Sequence, residues 1–214
     1  PAIEDLLKND MYILADDMGL GKTTSAVIAS ILENPKCTLV ICPASLKINW
    51  KREIENYTDE EVVIVEGKNW KEGKYIIVNY DILKNFHSLK NKSVRTLLES
   101  GVERVIIDEA HYISNPKAQR TKIINQISLK LGKVWLLTGT PMTSRPINYY
   151  NLLNLVNSRA ANNWVAYVKR YCAGRQFRGP NGRKIWNVSG ASNLEELRDR
   201  TQDKITRRLK EDVL

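Results

Sequence analysis

The sequence predicts an α/β domain built on a mostly parallel sheet with helices on both faces. Six short runs are apolar almost throughout, at residues 11–15, 38–42, 62–65, 75–78, 104–107 and 133–137. That is the composition of strands buried on both sides. Between them lie longer stretches with apolar residues at helical spacing, and strands that alternate with helices build parallel sheets. At 214 residues the chain is long enough to give one such domain an adequate core.

The first run, Met11-Tyr12-Ile13-Leu14-Ala15, leads through Asp16 into Asp17-Met18-Gly19-Leu20-Gly21-Lys22-Thr23-Thr24, and residues 24–32 then read as a helix. Strand, tight glycine turn and helix is the setting that a phosphate loop requires. Gly19 and Gly21 can take positive φ, so successive N–H groups can face phosphate oxygens at a helix N-terminus. Lys22 would reach the β and γ phosphates, and the Thr23 hydroxyl would ligate magnesium. The strict pattern has Gly where this chain has Asp16, and a Gly-Lys-Thr turn also arises by chance in surface loops.

After the second run, Pro43-Ala44-Ser45 opens a helix whose N–H groups and Ser45 hydroxyl suit a backbone phosphate. Asn79 and Tyr80 follow the fourth run. Val105-Ile106-Ile107 delivers Asp108-Glu109-Ala110-His111 at its C-terminal end, where open α/β sheets bind their ligands. Asp108 would hold magnesium, usually through water, and Glu109 would orient and polarise an attacking water. On spacing alone, an acidic pair that caps the next helix is also common. Thr138-Gly139-Thr140-Pro141 follows the sixth run, and by itself it reads as a turn with two capping hydroxyls. Three such strand-end motifs in one sheet can converge on one crevice.

Residues 14–23 resemble motif I of the Swi/Snf family of superfamily 2 ATPases, including Asp at the nominal Gly position. Ile41-Cys42-Pro43-Ala44-Ser45-Leu46, with Asn49-Trp50 and Glu53, resembles motif Ia of that family. Val78-Asn79-Tyr80-Asp81 resembles the segment near motif Ib, and Ile113-Ser114-Asn115 the stretch after motif II. Thr138-Gly139-Thr140-Pro141 with Arg145-Pro146 is similar to motif III. Thr206-Arg207-Arg208-Leu209-Lys210-Glu211-Asp212-Val213-Leu214 resembles the signature that closes the family's first lobe. The likeness covers nearly the whole chain. Arg170-Tyr171-Cys172, with residues 186–197, leans toward the fork-remodelling, annealing-helicase branch.

The resemblance implies a RecA-like P-loop NTPase lobe over residues 1–145. Residues 146–214 would form a C-terminal helical protrusion and the end of that lobe. It implies ATP and Mg2+ bound by Asp17, Met18, Gly19, Leu20, Gly21, Lys22, Thr23 and Thr24. Lys22, Asp108 and Glu109 would be catalytic, with Thr23 and Asp108 at the metal. His111, Thr138, Gly139 and Thr140 would couple nucleotide to DNA, and double-stranded DNA would lie against Pro43, Ala44, Ser45, Asn79 and Tyr80. The implied function is the ATP-binding N-terminal lobe of an ATP-dependent double-stranded DNA translocase or remodeller. The family's adenine-binding Gln segment and its second RecA-like lobe, with the arginine finger, would lie outside this sequence. The isolated lobe is therefore expected to be nearly inactive.

Composition agrees with a polyanionic partner: 33 Lys and Arg against 24 Asp and Glu give a net charge of +9. Basic residues gather at 84–95, 117–133 and 175–184, the last interleaved with Phe177 and followed by Trp186, although each stretch also reads as a solvated charged face. No segment resembles a base-reading module, so DNA contacts are expected along the backbone. Cys37, Cys42 and Cys172 show no metal-ligand spacing, and Cys42 at a strand end reads as a small buried hydrophobe. The sequence contains no signal peptide and no apolar run long enough to span a bilayer, which predicts a soluble, intracellular protein. Two other classes stay open. A catalytically silent DNA- or protein-binding module of the same fold is opposed by the intact Lys22, Thr23, Asp108 and Glu109. An RNA helicase lobe is opposed by Asn49-Trp50 and Arg207-Arg208.

Overall fold

The computed structural model describes residues 1–86, 99–139, 145–179 and 182–213. Its main sheet contains β1 (Met11–Leu14), β2 (Thr38–Cys42), β3 (Val62–Ile64), β4 (Tyr75–Asn79), β5 (Arg104–Ile107), β6 (Val134–Leu137) and β9 (Ile205–Thr206). Their order is β3-β4-β2-β5-β6-β1-β9, and every neighbouring pair is parallel. All six apolar runs are strands. The seventh comes from far along the chain and is only two residues long.

Strand side chains alternate between the two faces of the sheet, and the core divides accordingly. On one face Tyr12, Leu14, Val40, Ile77, Ile106, Trp135 and Leu137 pack with residues of α1 (Ala2–Lys8), α2 (Lys22–Glu33) and α3 (Lys47–Glu55). On the other, Ile13, Leu39, Ile41, Val78, Val105, Ile107 and Leu136 pack with α5 (Gln119–Leu131), α6 (Ile147–Leu155) and α7 (Trp164–Tyr171). A charge is built into this core. Arg104 is 2% exposed, donates to the Glu33 carboxylate and the Asp10 carbonyl, and lies 4.0 Å over the Trp135 ring. All three cysteines are buried thiols, and burial pushes Cys42 up to about 12. Among the described residues no helix is long and apolar enough to cross a membrane.

The segment after residue 146 carries α6, α7, α8 (Leu194–Asp199) and α9 (Lys210–Val213), together with elements that the helical expectation omitted. One is an antiparallel hairpin of β7 (Arg175–Arg178) and β8 (Lys184–Asn187). Its strands are four residues each and exposed almost throughout, so they lack the apolar signature of a buried strand. The other is β9, which returns the chain to the edge of the main sheet. There Ile13 takes a bond from its N–H to the Lys204 carbonyl, Ala15 to that of Thr206 and Asp17 to that of Arg208, at 2.8 to 3.0 Å.

Side chains lock this return in place. Asp16 is fully buried, and its carboxylate accepts the Arg208 backbone N–H at 2.9 Å and Nε at 3.0 Å, with Nη2 as a further donor. The Thr206 hydroxyl donates to the Asp5 carboxylate at 2.8 Å and shares a hydrogen bond with Tyr12 at 2.7 Å. A buried carboxylate is tolerable only when paired and hydrogen-bonded. Arg208→Ala is therefore expected to cost about 3 kcal/mol, because Asp16 stays buried without its cation. The double variant Asp16→Ala, Arg208→Ala should recover part of that loss. Urea unfolding of the three proteins checks it; a double variant no more stable than Arg208→Ala would contradict the pairing.

Candidate functional site

Parallel strands end together, so the residues that follow β1, β6, β5, β2 and β4 emerge along one rim of the sheet. The phosphate loop follows β1. Gly19 and Gly21 have φ of 86° and 72°, a left-handed conformation in which a side chain is strained. A Cβ on Gly21 would meet nothing within 4 Å, so conformation rather than space requires glycine there. The turn releases the chain into α2, which begins at Lys22 with no side-chain cap and no acidic residue in its first turn. Its leading N–H groups are left without intrahelical acceptors, and the helix dipole points its positive end into the crevice.

Lys22 Nζ donates to the Asp16 carbonyl at 2.7 Å and the Asp17 carbonyl at 3.0 Å. Burial lowers its pKa, while the charges of Asp16, Glu109, Asp108 and Asp17 pull the other way. Gly139, after β6, forms the facing wall. A Cβ there would come within 2.9 Å of Met18 Cγ and 3.6 Å of Lys22 Nζ, so any larger residue would have to displace the Met18 side chain. Thr138 is 1% exposed, and its N–H donates to the Leu14 carbonyl at 3.1 Å, which ties the two strand ends together. Asp17 is held from outside, through Arg207 Nη2 at 3.3 Å and its own amide on Arg208. Thr24 is not free: its hydroxyl donates to Glu53 of α3.

Asp108, at the end of β5, is 7% exposed. One carboxylate oxygen accepts Trp50 Nε1 at 2.8 Å, and the other accepts the Glu109 amide at 2.8 Å. Burial raises its pKa, and the Trp50 indole, the Glu109 amide and the Lys22 charge offset part of that rise. Each oxygen takes one donor here, which leaves lone pairs for a hydrated cation. Glu109 adopts φ 50°, ψ 50°. Such a backbone costs a non-glycine residue about 1–3 kcal/mol and is found where surrounding structure over-determines it. The Tyr112 N–H donates to the Glu109 carbonyl at 2.9 Å, and His111 Nδ1 lies 3.2 Å from the Glu109 carboxylate.

The residues expected to meet DNA divide into two environments. Ala44 and Ser45 are exposed and Pro43 half-buried, in a short 3-10 turn that runs into α3. Asn79 is 8% exposed and Tyr80 4%. Tyr80 donates its hydroxyl to the Asp108 carbonyl at 2.6 Å and stacks on Tyr112 at 5.3 Å, while His111 lies 4.9 Å from Tyr112. A continuous packed path therefore joins the end of β4 to Glu109. Thr140 lies outside the described residues, as does His87 with the rest of residues 87–95.

Residue patterns alone did not reveal three partners: Trp50 as the holder of Asp108, Glu53 as the acceptor of Thr24, and Arg208 as the counter-charge of Asp16. Asp16 carried the usable signal, since a carboxylate directly behind a buried strand demands a cation from elsewhere in the chain.

Comparison with known proteins agrees with this arrangement. The SNF2-related domain family matches residues 6–214. The human protein named DNA annealing helicase and endonuclease ZRANB3 is 32% identical over 98% of this chain, which corresponds to 20% of that protein. The SWI/SNF-related matrix-associated actin-dependent regulator of chromatin subfamily A-like protein 1 of Xenopus tropicalis is 34% identical over 94% of this chain and 21% of its own. The chain thus spans about a fifth of the length of these curated relatives. Among solved structures, the Sulfolobus solfataricus SWI2/SNF2 ATPase core in complex with dsDNA superposes with a TM-score of 0.70 at 23% identity, over 99% of this chain and 42% of that one, and so shares its fold. With a family match over nearly its full length and a parallel sheet of the same architecture, the chain belongs to the SNF2-related domain family.

Proposed function

We propose that this chain is the ATP-binding N-terminal lobe of an ATP-dependent double-stranded DNA translocase or remodeller. One observation carries the reading: the uncapped, left-handed glycine loop with Lys22 and the acidic pair Asp108-Glu109 end on strands separated only by β6, whose own end, Gly139, touches the loop. Residues 1–145 act as the nucleotide-binding part. Residues 146–214 supply the protrusion and the strand that closes the sheet.

In this reading residues Asp17 to Thr24 cradle the triphosphate. Lys22 exchanges its two loop carbonyls for the β and γ oxygens, so it enters the site already desolvated and pointed inward. Thr23 and Asp108 hold magnesium, whose bound charge neutralises the phosphates. Asp108 is kept in place by the Trp50 indole rather than by another charge, which leaves its negative charge to the metal. Glu109 orients the attacking water and accepts its proton. DNA lies against Pro43, Ala44, Ser45 and Asn79. Tyr80 contributes from beneath, packed through Tyr112 to His111 and Glu109, and His111, Thr138, Gly139 and Thr140 couple the nucleotide-bound state to the DNA-bound state. A second RecA-like lobe supplies the arginine finger.

Five measurements test this. Lys22→Ala should weaken ATP–Mg2+ binding roughly 10- to 100-fold without loss of thermal stability, because a charge-assisted bond to phosphate is lost and no core packing is touched. Equal affinities by calorimetry would remove the phosphate-loop assignment. In a protein that includes the second lobe, Glu109→Gln should retain ATP while slowing DNA-stimulated hydrolysis about 10²- to 10⁴-fold; a wild-type rate would mean that another residue is the base. This chain alone should hydrolyse about 10³- to 10⁵-fold more slowly than the two-lobe protein, the contribution of an arginine finger. Duplex binding should be indifferent to sequence and lose affinity with a log–log salt slope of roughly 0.9 per phosphate contacted. An ATPase assay comparing duplex, single-stranded DNA and RNA as stimulants separates a DNA translocase from an RNA helicase and from a silent module.

A further inference from the structure

Residues 110–194 contain thirteen Lys and Arg and not one Asp or Glu. Four of those cations, Arg175, Arg178, Arg183 and Lys184, lie on the β7–β8 hairpin and are exposed. Among the described residues none of the four joins an ion pair. By contrast Arg170, at the hairpin's base, is paired with Glu196, and Lys169 lies 5.9 Å over the Trp186 ring.

The hairpin has a fixed root and two distinct faces. Gly174 donates to the Val168 carbonyl at 2.9 Å, and a Cβ there would lie 2.6 Å from that oxygen, so the strand leaves α7 in close backbone contact. Trp186 turns toward the body and meets Trp164 edge-on at 5.8 Å. Side chains alternate along a strand, so the opposite face carries Arg175, Phe177 and Ile185. Phe177 and Ile185 are direct cross-strand partners and stay 50% and 41% exposed. Arg178 and Lys184 are also direct partners. Like charges placed opposite each other destabilise a hairpin, and an anion between them removes the repulsion.

An unopposed positive field calls for a polyanion. Along its length a duplex presents phosphates, sugars and base edges but no free base face, and leaves the Phe177–Ile185 platform unused, whereas an unpaired base has an apolar face of matching size. We propose that this hairpin binds a nucleic-acid strand with unpaired bases, one base lying on Phe177 and Ile185 with Arg175 on the same face at its phosphate, while Arg178 and Lys184, which point to the other face, hold the phosphates where the strand passes round the hairpin's edge. The inference shares with the proposed function the premise that the chain acts on nucleic acid, but it uses none of the nucleotide-site residues. Stacking of a base on an aromatic side chain is tolerant of base identity, so the contact adds affinity without sequence preference.

Fluorescence anisotropy of this chain with a labelled oligothymidylate and with a blunt duplex tests the proposal, at two salt concentrations. Phe177→Ala is expected to weaken the single strand roughly 5- to 150-fold, the range for one stacked base, and to leave the duplex within about twofold. Phe177→Trp should retain single-strand affinity. Arg178→Glu with Lys184→Glu should weaken the single strand and flatten its salt dependence. Thermal melting shows that each variant is folded, and all three positions are exposed. Unchanged single-strand affinity in both Phe177→Ala and the charge-reversed variant would overturn the proposal. So would a loss from charge reversal alone with Phe177→Ala neutral, or a wild-type dimer in sedimentation that Phe177→Ala dissolves. A wild-type chain that binds duplex but no single strand overturns this inference alone; one that binds neither counts against the proposed function as well.

Discussion

The geometry of the glycine loop after β1 depends on a buried ion pair. Asp16 occupies a position where a simpler loop has glycine, and its carboxylate is enclosed completely. Left unpaired, that charge would cost several kcal/mol, as uncompensated buried charges do. Arg208 removes the cost by giving three donors to it, and in doing so brings β9 against β1 and sets Arg207 beside Asp17. The loop is thus clamped between α2 on one side and a strand from almost two hundred residues later on the other. Lys22, whose ammonium rests on the carbonyls of Asp16 and Asp17, inherits its position from that clamp.

The acidic pair is placed by a different device. Trp50 reaches from α3 to Asp108, and Tyr80 reaches from the end of β4 to the Asp108 carbonyl. Both are neutral donors. A lysine or arginine in either place would hold Asp108 as firmly but would neutralise its charge. Glu109, left-handed in its backbone, sets its carboxylate 3.2 Å from His111 Nδ1. Polar residues that would bind DNA and residues that would bind nucleotide therefore share a single layer of strand ends, with Tyr80 stacked on Tyr112 and His111 tilted against it between them.

The six sheet strands and the three motifs behind them were legible in the residues because each carries its own local signal. A strand buried on both faces must be apolar along its whole length, and a parallel sheet must present its strand ends together. The short elements were not legible for the same reason. β9 contributes two residues, too few for any periodicity, and the β7–β8 strands are exposed, so no apolar run marks them.

What the residues determined by themselves was the layout of the chemistry: a glycine turn that only a small side chain can make, a lysine at a helix start, and carboxylates at the end of a β-branched run. Those constraints are local, set by sterics and by spacing along the chain. The partners of these groups were decided by packing between segments distant in sequence. Asp16 with Arg208, Asp108 with Trp50, Thr24 with Glu53 and Gly139 against Met18 all exist because the sheet order places β9 beside β1 and β6 between β1 and β5. Burial makes each of these polar groups require a partner, but only the three-dimensional adjacency of the strands determines which residue supplies it.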